Sequence, residues 1–205
     1  MPTVTSPLPP RAVYSTEPVY RFTVSQWHDM IASGTLTADD PVELVEGVAV
    51  FKMPKNEPHI AAGRRLRRAI ERAVPAGYSF DGKQPIALAD GEPGPDGMIV
   101  RGIIEAFDHR KVVPSDAVVV IEIADSTLDS DRGSKLRSYA RAGIVCYWIV
   151  NLVERLIERY TEPDPTAAVP RYRNVDVFHS GDAVPLPLDC PLVAAVAVSD
   201  VLPPA

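Results

Sequence analysis

The run Ala117-Val-Val-Val-Ile-Glu-Ile-Ala124 constrains the fold of this chain more than any other segment. An almost unbroken apolar run of this length reads as a strand buried on both faces of a sheet. Glu122 lies inside it, and an ionised carboxylate in such a place is costly unless a partner compensates its charge. Its own strand offers no obvious partner, which directs the search to a cation or a metal supplied from elsewhere in the fold. Two segments can supply the company: Pro95-Asp96 upstream and Asp131-Arg-Gly-Ser-Lys135 downstream. Strand alternation puts Glu122 on one face with Val118, Val120 and Ala124.

The rest of the composition limits the function classes. A chain of 205 residues holds one domain with a substantial core, and its 46% hydrophobic and 23% charged content is ordinary for a globular protein. The formal net charge of -6 argues against a protein that grips nucleic acid by bulk electrostatics. Two cysteines, Cys146 and Cys190, are too few for a disulfide scaffold or a structural zinc site, and Cys146 reads as a buried free thiol. No stretch approaches the ~20 apolar residues that span a bilayer, and no charged segment leads into an apolar one at the start. The expected location is the cytoplasm, with no membrane partner.

Residues 1–19, rich in Pro, Ser and Thr, read as a loose N-terminal arm. Thr23 is placed to cap a helix reaching about Ser33, closed by Gly34. Val42 to Lys52, broken at Glu46-Gly47, reads as a β-hairpin. A second helix starts at Asn56 or Glu57 and runs to about Val74; His59, Ala62, Leu66, Ala69, Ile70 and Ala73 form its apolar stripe. Its arginines spread around the remaining circumference, which favours a solvated face over a phosphate-binding one. Tyr78 to Phe80, Gln84 to Leu88 and Asp96 to Arg101 read as strands before the central one at 117–124. Asp131 to Ala142 reads as a helix, Val145 to Val150 and Arg155 to Tyr160 as a strand pair, and Tyr172 to Phe178 as a further strand. Strands and helices interleave without regular alternation, which makes the fold mixed α/β or α+β.

If the strands of Asp96 and Glu122 are neighbours, two carboxylates and the Lys135 ammonium converge. Oxygen ligands of this kind suit Mg2+ or Mn2+, and a lysine beside such an ion can orient or deprotonate water or stabilise charge developing on phosphorus.

These residues, in this order, resemble the PD-(D/E)XK nuclease superfamily, and more nearly its Uma-type, restriction-endonuclease-like branch. The matching segments are Val42-Glu-Leu-Val-Glu-Gly47, the helix opened by His59, Gln84-Pro-Ile86, Glu92-Pro-Gly-Pro-Asp96, Val120-Ile-Glu-Ile-Ala124, Asp131-Arg-Gly-Ser-Lys-Leu136, Tyr139-Ala-Arg-Ala-Gly143 and Tyr147-Trp-Ile-Val150. The resemblance covers residues 20–162 and implies a mixed β-sheet core flanked by helices, with additional β-hairpins. Residues 163–205 then form a Pro-rich, β-containing extension packed on the same domain. It further implies that Asp96 and Glu122 bind Mg2+ or Mn2+, that Glu43 is an additional acid of the site, and that the substrate is DNA or another nucleic acid cut at its phosphodiester bonds. The superfamily's lysine usually stands two residues after the second acid, where this chain has Ala124; in the Uma-type branch it comes from the following helix, here as Lys135.

Plainer readings stand beside these. Glu122 could be satisfied by backbone or by an arginine, Asp96 could cap the Gly94-Pro95 turn, and Lys135 could pair with Asp131 as an exposed i, i+4 pair of small energetic value. Glu43 is preferred to Glu46 because Glu46 precedes Gly47 and reads as a turn residue. His59 and Gln84 are secondary candidates. The acidic balance and the displaced lysine also allow a non-catalytic protein of this fold, serving as a binding or assembly module. Tyr147-Trp-Ile-Val150 and the β-like tail offer surface that a homodimer could bury.

Overall fold

A computed structural model describes residues 18–37, 39–82, 84–189 and 194–204. Most of the expected N-terminal arm and Cys190 lie outside the described residues. The chain opens with helix α1 (Val24–Ala32), where Thr23 and Gln26 cap each other reciprocally. Strands β1 (Val42–Val45) and β2 (Val48–Phe51) form the expected antiparallel hairpin. Its turn places Glu46 at φ 50° and Gly47 at φ 74°, the left-handed pair that a two-residue hairpin needs.

Helix α2 (Glu57–Ala73) starts where the Asn56 side chain accepts the His59 N–H at 3.1 Å. It buries Ala62, Leu66, Ala69 and Ile70, and full burial of the larger two contributes about 1.5–3 kcal/mol each. Next come β3 (Tyr78–Asp81), β4 (Gly97–Arg101) and the fully buried β5 (Ala117–Ala124). A crossover of α3 (Leu128–Ser130), a π-type turn (Asp131–Lys135) and α4 (Leu136–Arg141) leads to β6 (Cys146–Asn151). Strands β7 (Leu156–Asp164), β8 (Arg171–Phe178), β9 (Ala183–Pro185) and β10 (Ala195–Ala197) and helix α5 (Val198–Val201) complete the order.

Strands β3 to β8 form one six-stranded sheet in the order β3-β4-β5-β6-β7-β8. Only β5 and β6 are parallel, as their helical crossover requires; every other pair is antiparallel. One face carries α2, α5 and the β9–β10 hairpin over Ile99, Ile121, Ile123 and Trp148. The other carries α4, with Tyr139 and Ala140 packed on Met98, Val120, Tyr147 and Ile149. This is a mixed α/β fold with helices on both faces of the sheet, and β5 lies at its centre.

Four details depart from the sequence reading. Gln84 to Leu88 makes no strand: Pro85 has no N–H to donate, and the segment keeps only single bridges, Ile86 with Val112 and Leu88 with Gly91. The register between β4 and β5 slips between Ile99 and Val100, leaving Val118 as an extra residue. That bulge turns Val118 to the α2 side, so Glu122 shares its face with Val120 and Ala124 but not with Val118. The helix expected from Asp131 is interrupted, because Gly133 leaves the helical region at φ -106° and ψ -105°. Finally, Tyr147, Trp148, Ile149 and Val150 are wholly buried in β6 between β5 and β7, so they offer no surface to a second copy.

Candidate metal centre

Each acidic residue of interest reaches one cleft by a separate route. Glu43 arrives on β1, which is laid against residues 90–94 by hydrogen bonds from Glu92 N–H to the Leu44 carbonyl at 2.8 Å and from Gly47 N–H to the Asp90 carbonyl at 2.7 Å. Gly91 is needed there, since a Cβ would stand 2.5 Å from the Leu44 carbonyl oxygen. The hairpin's far end is fastened by Glu46, whose carboxylate takes Arg137 at 2.7 and 3.2 Å and Arg141 at 3.0 Å. Burial works to raise the pKa of Glu46, but the two guanidinium groups prevail and hold it below the ordinary value. Glu46 is therefore a structural anchor on α4, and Glu43 is the acid that faces the cleft.

Asp96 directly precedes β4. Its Oδ2 accepts the Ile123 N–H at 2.8 Å, which ties it to β5 one residue from Glu122. Its Oδ1 faces His59 Nε2 at 3.0 Å and pairs with Lys55. Burial pushes the Asp96 carboxyl up, but His59 and Lys55 overcome this and lower its pKa to about 2. It is an anion at any physiological pH.

Glu122 is 2% exposed. Its Oε1 accepts the Tyr139 hydroxyl at 2.7 Å and lies 3.0 Å from Lys135 Nζ. The same ammonium lies 3.4 Å from Glu43 Oε1 and 3.9 Å from Asp131 Oδ1. Glu43 Oε2 is held in turn by the Gly94 N–H at 2.8 Å. Burial drives the Glu122 pKa well above the usual carboxylate range; Lys135 opposes this, while Asp131, Asp96 and Glu43 add to it. Burial alone would favour a neutral Lys135, but Glu122, Glu43 and Asp131 outweigh it and keep the ammonium charged.

The structure thus brings Glu43, Asp96, Glu122, Lys135 and the secondary candidate His59 to one cleft of about 440 Å3. It does not bring Gln84, which is exposed and lines a separate cavity of about 410 Å3 beside Phe107 and His109. The pair Asp131–Lys135 is not the exposed one foreseen as an alternative: Asp131 is 1% exposed, and its Oδ2 accepts the Thr127 hydroxyl at 2.6 Å. Asp131 and Lys55 contact the site's acids and ammonium, and neither was among the sequence's site candidates. Asp131 carried a legible signal, since its i, i+4 spacing puts it beside Lys135. Lys55 carried none, because its approach to Asp96 depends on the course of the chain after β2.

The donor set fits a hard divalent cation. Glu43, Glu122 and Asp131 share the single ammonium of Lys135, and all three are buried. Asp131 Oδ1 is buried with no hydrogen-bond partner, an orphaned acceptor of the kind that a bound ion satisfies. Among the described residues no three carboxylate, imidazole or thiol ligands already enclose one point; Glu43, Glu122 and Asp131 each face the Lys135 ammonium instead. Oxygen donors with excess negative charge suit Mg2+ or Mn2+ over softer metals.

Comparison with known proteins agrees with this architecture. A solved structure described as a "putative nuclease belonging to DUF820" from Anabaena variabilis ATCC 29413 superposes with a TM-score of 0.61 at 16% identity, covering 88% of this chain and 97% of that one. At that identity the likeness is one of fold. No curated protein matches the sequence. Among the described residues no helix is long and apolar enough to cross a membrane. The family model Uma2, described as "Putative restriction endonuclease", matches residues 25–199, and the chain belongs to that family.

Proposed function

We propose that this protein is a divalent-metal-dependent nuclease that hydrolyses phosphodiester bonds. The observation that carries the reading is the set of buried carboxylates, Glu43, Glu122 and Asp131, gathered on the Lys135 ammonium, with Glu43, Glu122, Lys135 and Asp96 lining an open cleft. A fold that keeps so much charge buried loses stability by it, so function is the stronger reason for its retention. Family membership supports the same reaction class.

In this reading Asp96 and Glu122 hold Mg2+ or Mn2+, with Glu43 as the additional acid. When bound, such an ion polarises a phosphoryl oxygen and lowers the pKa of a water molecule. The chain's own residues do the rest. Tyr139 donates to Glu122 Oε1 and fixes that carboxylate's rotamer, while the Ile123 N–H does the same for Asp96. Lys135 keeps its proton in this buried, acidic setting and acts as a charge that orients the nucleophile and stabilises negative charge developing on the phosphate. His59 holds Asp96 ionised. Lys135 also answers the objection raised by Ala124, because it meets Glu122 from the crossover.

The test is cleavage of DNA and RNA by the purified protein in Mg2+ or Mn2+. Cleavage by wild type and its loss in Glu122→Gln are the expected results. Equal cleavage by both proteins would sink the assignment.

A further inference from the structure

The cleft has a second wall that the hydrolytic reading does not use. Between β2 and α2 the chain runs Phe51-Lys-Met-Pro-Lys-Asn56, and every one of these residues lines the cleft. Phe51 is 60% exposed and Met53 is 53% exposed, so two large apolar side chains stand in water at the mouth of a strongly acidic site. Basic residues alternate with them. Lys55 pairs with Asp96, and Lys52 Nζ reaches over Gly94, where it would stand 3.8 Å from an added Cβ while Glu43 Oε2 would stand 3.7 Å from it. Pro54 has no N–H, and among the described residues no backbone hydrogen bond holds Met53, Pro54 or Lys55, so this strap can adjust to what it meets. Thr127, Ser130 and Ser134 line the same cleft.

We infer that this strap is a binding platform for unpaired nucleotides, and that the substrate is a single strand, or an unpaired stretch of a duplex, laid across Phe51 and Met53. The inference rests on the proposed hydrolysis for the place of the scissile bond and specifies its substrate class. An aromatic face flanked by lysines is what a single strand requires: its bases expose apolar faces that stack, and its phosphates follow at short intervals. A duplex hides those faces and depends on a broad basic surface, which a chain of net charge -6 is poorly equipped to supply. Lys55 has a further part in this arrangement. Its side chain is 44% exposed and bound to Asp96, so an arriving phosphate can draw the ammonium outward and leave Asp96 Oδ1 with His59 as its one remaining side-chain partner. Substrate binding and opening of a metal-ligand oxygen are thereby one event.

The test uses the full-length protein with matched single-stranded and duplex oligonucleotides, in DNA and RNA forms. The strands carry 2-aminopurine; binding is read in Ca2+ and cleavage in parallel samples with Mg2+ or Mn2+. Expected are tighter binding of the single strand, quenching of 2-aminopurine on binding, and a loss of about tenfold in affinity in Phe51→Ala. Phe51→Tyr keeps the affinity, and Lys52→Ala lowers the slope of log affinity against log salt by about 0.7. Duplex preference, wild-type single-strand affinity in Phe51→Ala, or no binding of any oligonucleotide overturns the inference. Cleavage of duplex by Phe51→Ala at the wild-type rate also overturns it and leaves the hydrolytic reading standing. Phe51-dependent binding with no cleavage in Mg2+ or Mn2+ does the reverse.

Discussion

Replacing Lys135 by methionine tests the electrostatic core of the site. The ammonium lies 3.0 Å from Glu122, 3.4 Å from Glu43 and 3.9 Å from Asp131, and its side chain is 14% exposed. At an effective dielectric of ~20 each of these contacts carries a gross attraction of about 4–6 kcal/mol, most of it offset by the desolvation of four buried charges. What Lys135→Met changes is the balance, since methionine fills the space and leaves the carboxylates facing one another. Removal of one partner from such a group costs ~3–5 kcal/mol. At about 2–4 °C per kcal/mol for a domain of this size, the melting temperature in chelator falls by roughly 10 °C.

Two further signatures separate this from ordinary cavity damage. Glu122 already has a folded-state pKa above its unfolded value, and the variant pushes it higher. A carboxyl raised in this way contributes stability that is complete below the unfolded pKa and is lost as pH rises through the folded one. The penalty in Lys135→Met therefore shrinks as pH falls through the raised folded-state pKa of Glu122 in the variant, where the carboxyl takes up a proton. Divalent metal reverses the defect as well: a ligand at 100 times its Kd stabilises by about 2.7 kcal/mol, and the variant gains more than wild type because no ammonium competes. The assay is thermal unfolding with and without Mn2+, across pH, for Lys135→Met, Glu122→Gln and the double variant. Melting within 1 kcal/mol of wild type in chelator, a penalty independent of pH, or a smaller Mn2+ shift than wild type would refute the reasoning.

Two other perturbations act on the hairpin that delivers Glu43. Glu46 has a folded pKa below its ordinary value, so its contribution is present above the unfolded pKa and is lost as pH falls through the folded one. Glu46→Gln should thus cost about 1–3 kcal/mol at neutral pH in chemical denaturation, with the two unfolding curves converging as pH falls through the lowered folded-state pKa of Glu46. Gly91→Ala puts a methyl 2.5 Å from the Leu44 carbonyl and should displace β1, lowering Mn2+ affinity in calorimetry with a stability loss of about 1–3 kcal/mol. Gly181→Ala, where an added Cβ meets nothing within 4 Å, is the control that should bind metal as wild type does.

What could be read from the sequence followed from period and punctuation. The β5 run, apolar but for Glu122, the Thr23 and Asn56 caps and the Glu46-Gly47 turn each have a local cause, and each lies where its residues predict. The convergence of Glu43, Asp96, Glu122 and Lys135 came from family resemblance, and no spacing rule alone would have joined residues so far apart. Features set by tertiary contact stayed hidden. The bulge at Val118 depends on how β4 pairs, the burial of Tyr147 to Val150 on strand order, and the Lys55–Asp96 pair on the path of the strap. Gln84 misled because a proline-adjacent β-like segment looks the same whether or not a neighbour completes it.

Ala124 was the weak point of the catalytic reading, and the geometry turns it into a constraint. Position 124 is wholly buried on the Glu122 face, in the cluster that also holds Tyr139 and Ala140 of α4. A lysine there would have to push into this packed cluster. The ammonium can instead enter from the crossover, provided that the crossover turns its side chain back over β5. The interruption at Gly133 occurs between Asp131 and Lys135, so the buried acid and the buried base both face Glu122 while α4 resumes on its own line. On the proposed reading, small residue at 124, glycine in the turn and lysine at 135 are then one solution: Lys135 supplies from the crossover the charge that would otherwise come from along the strand.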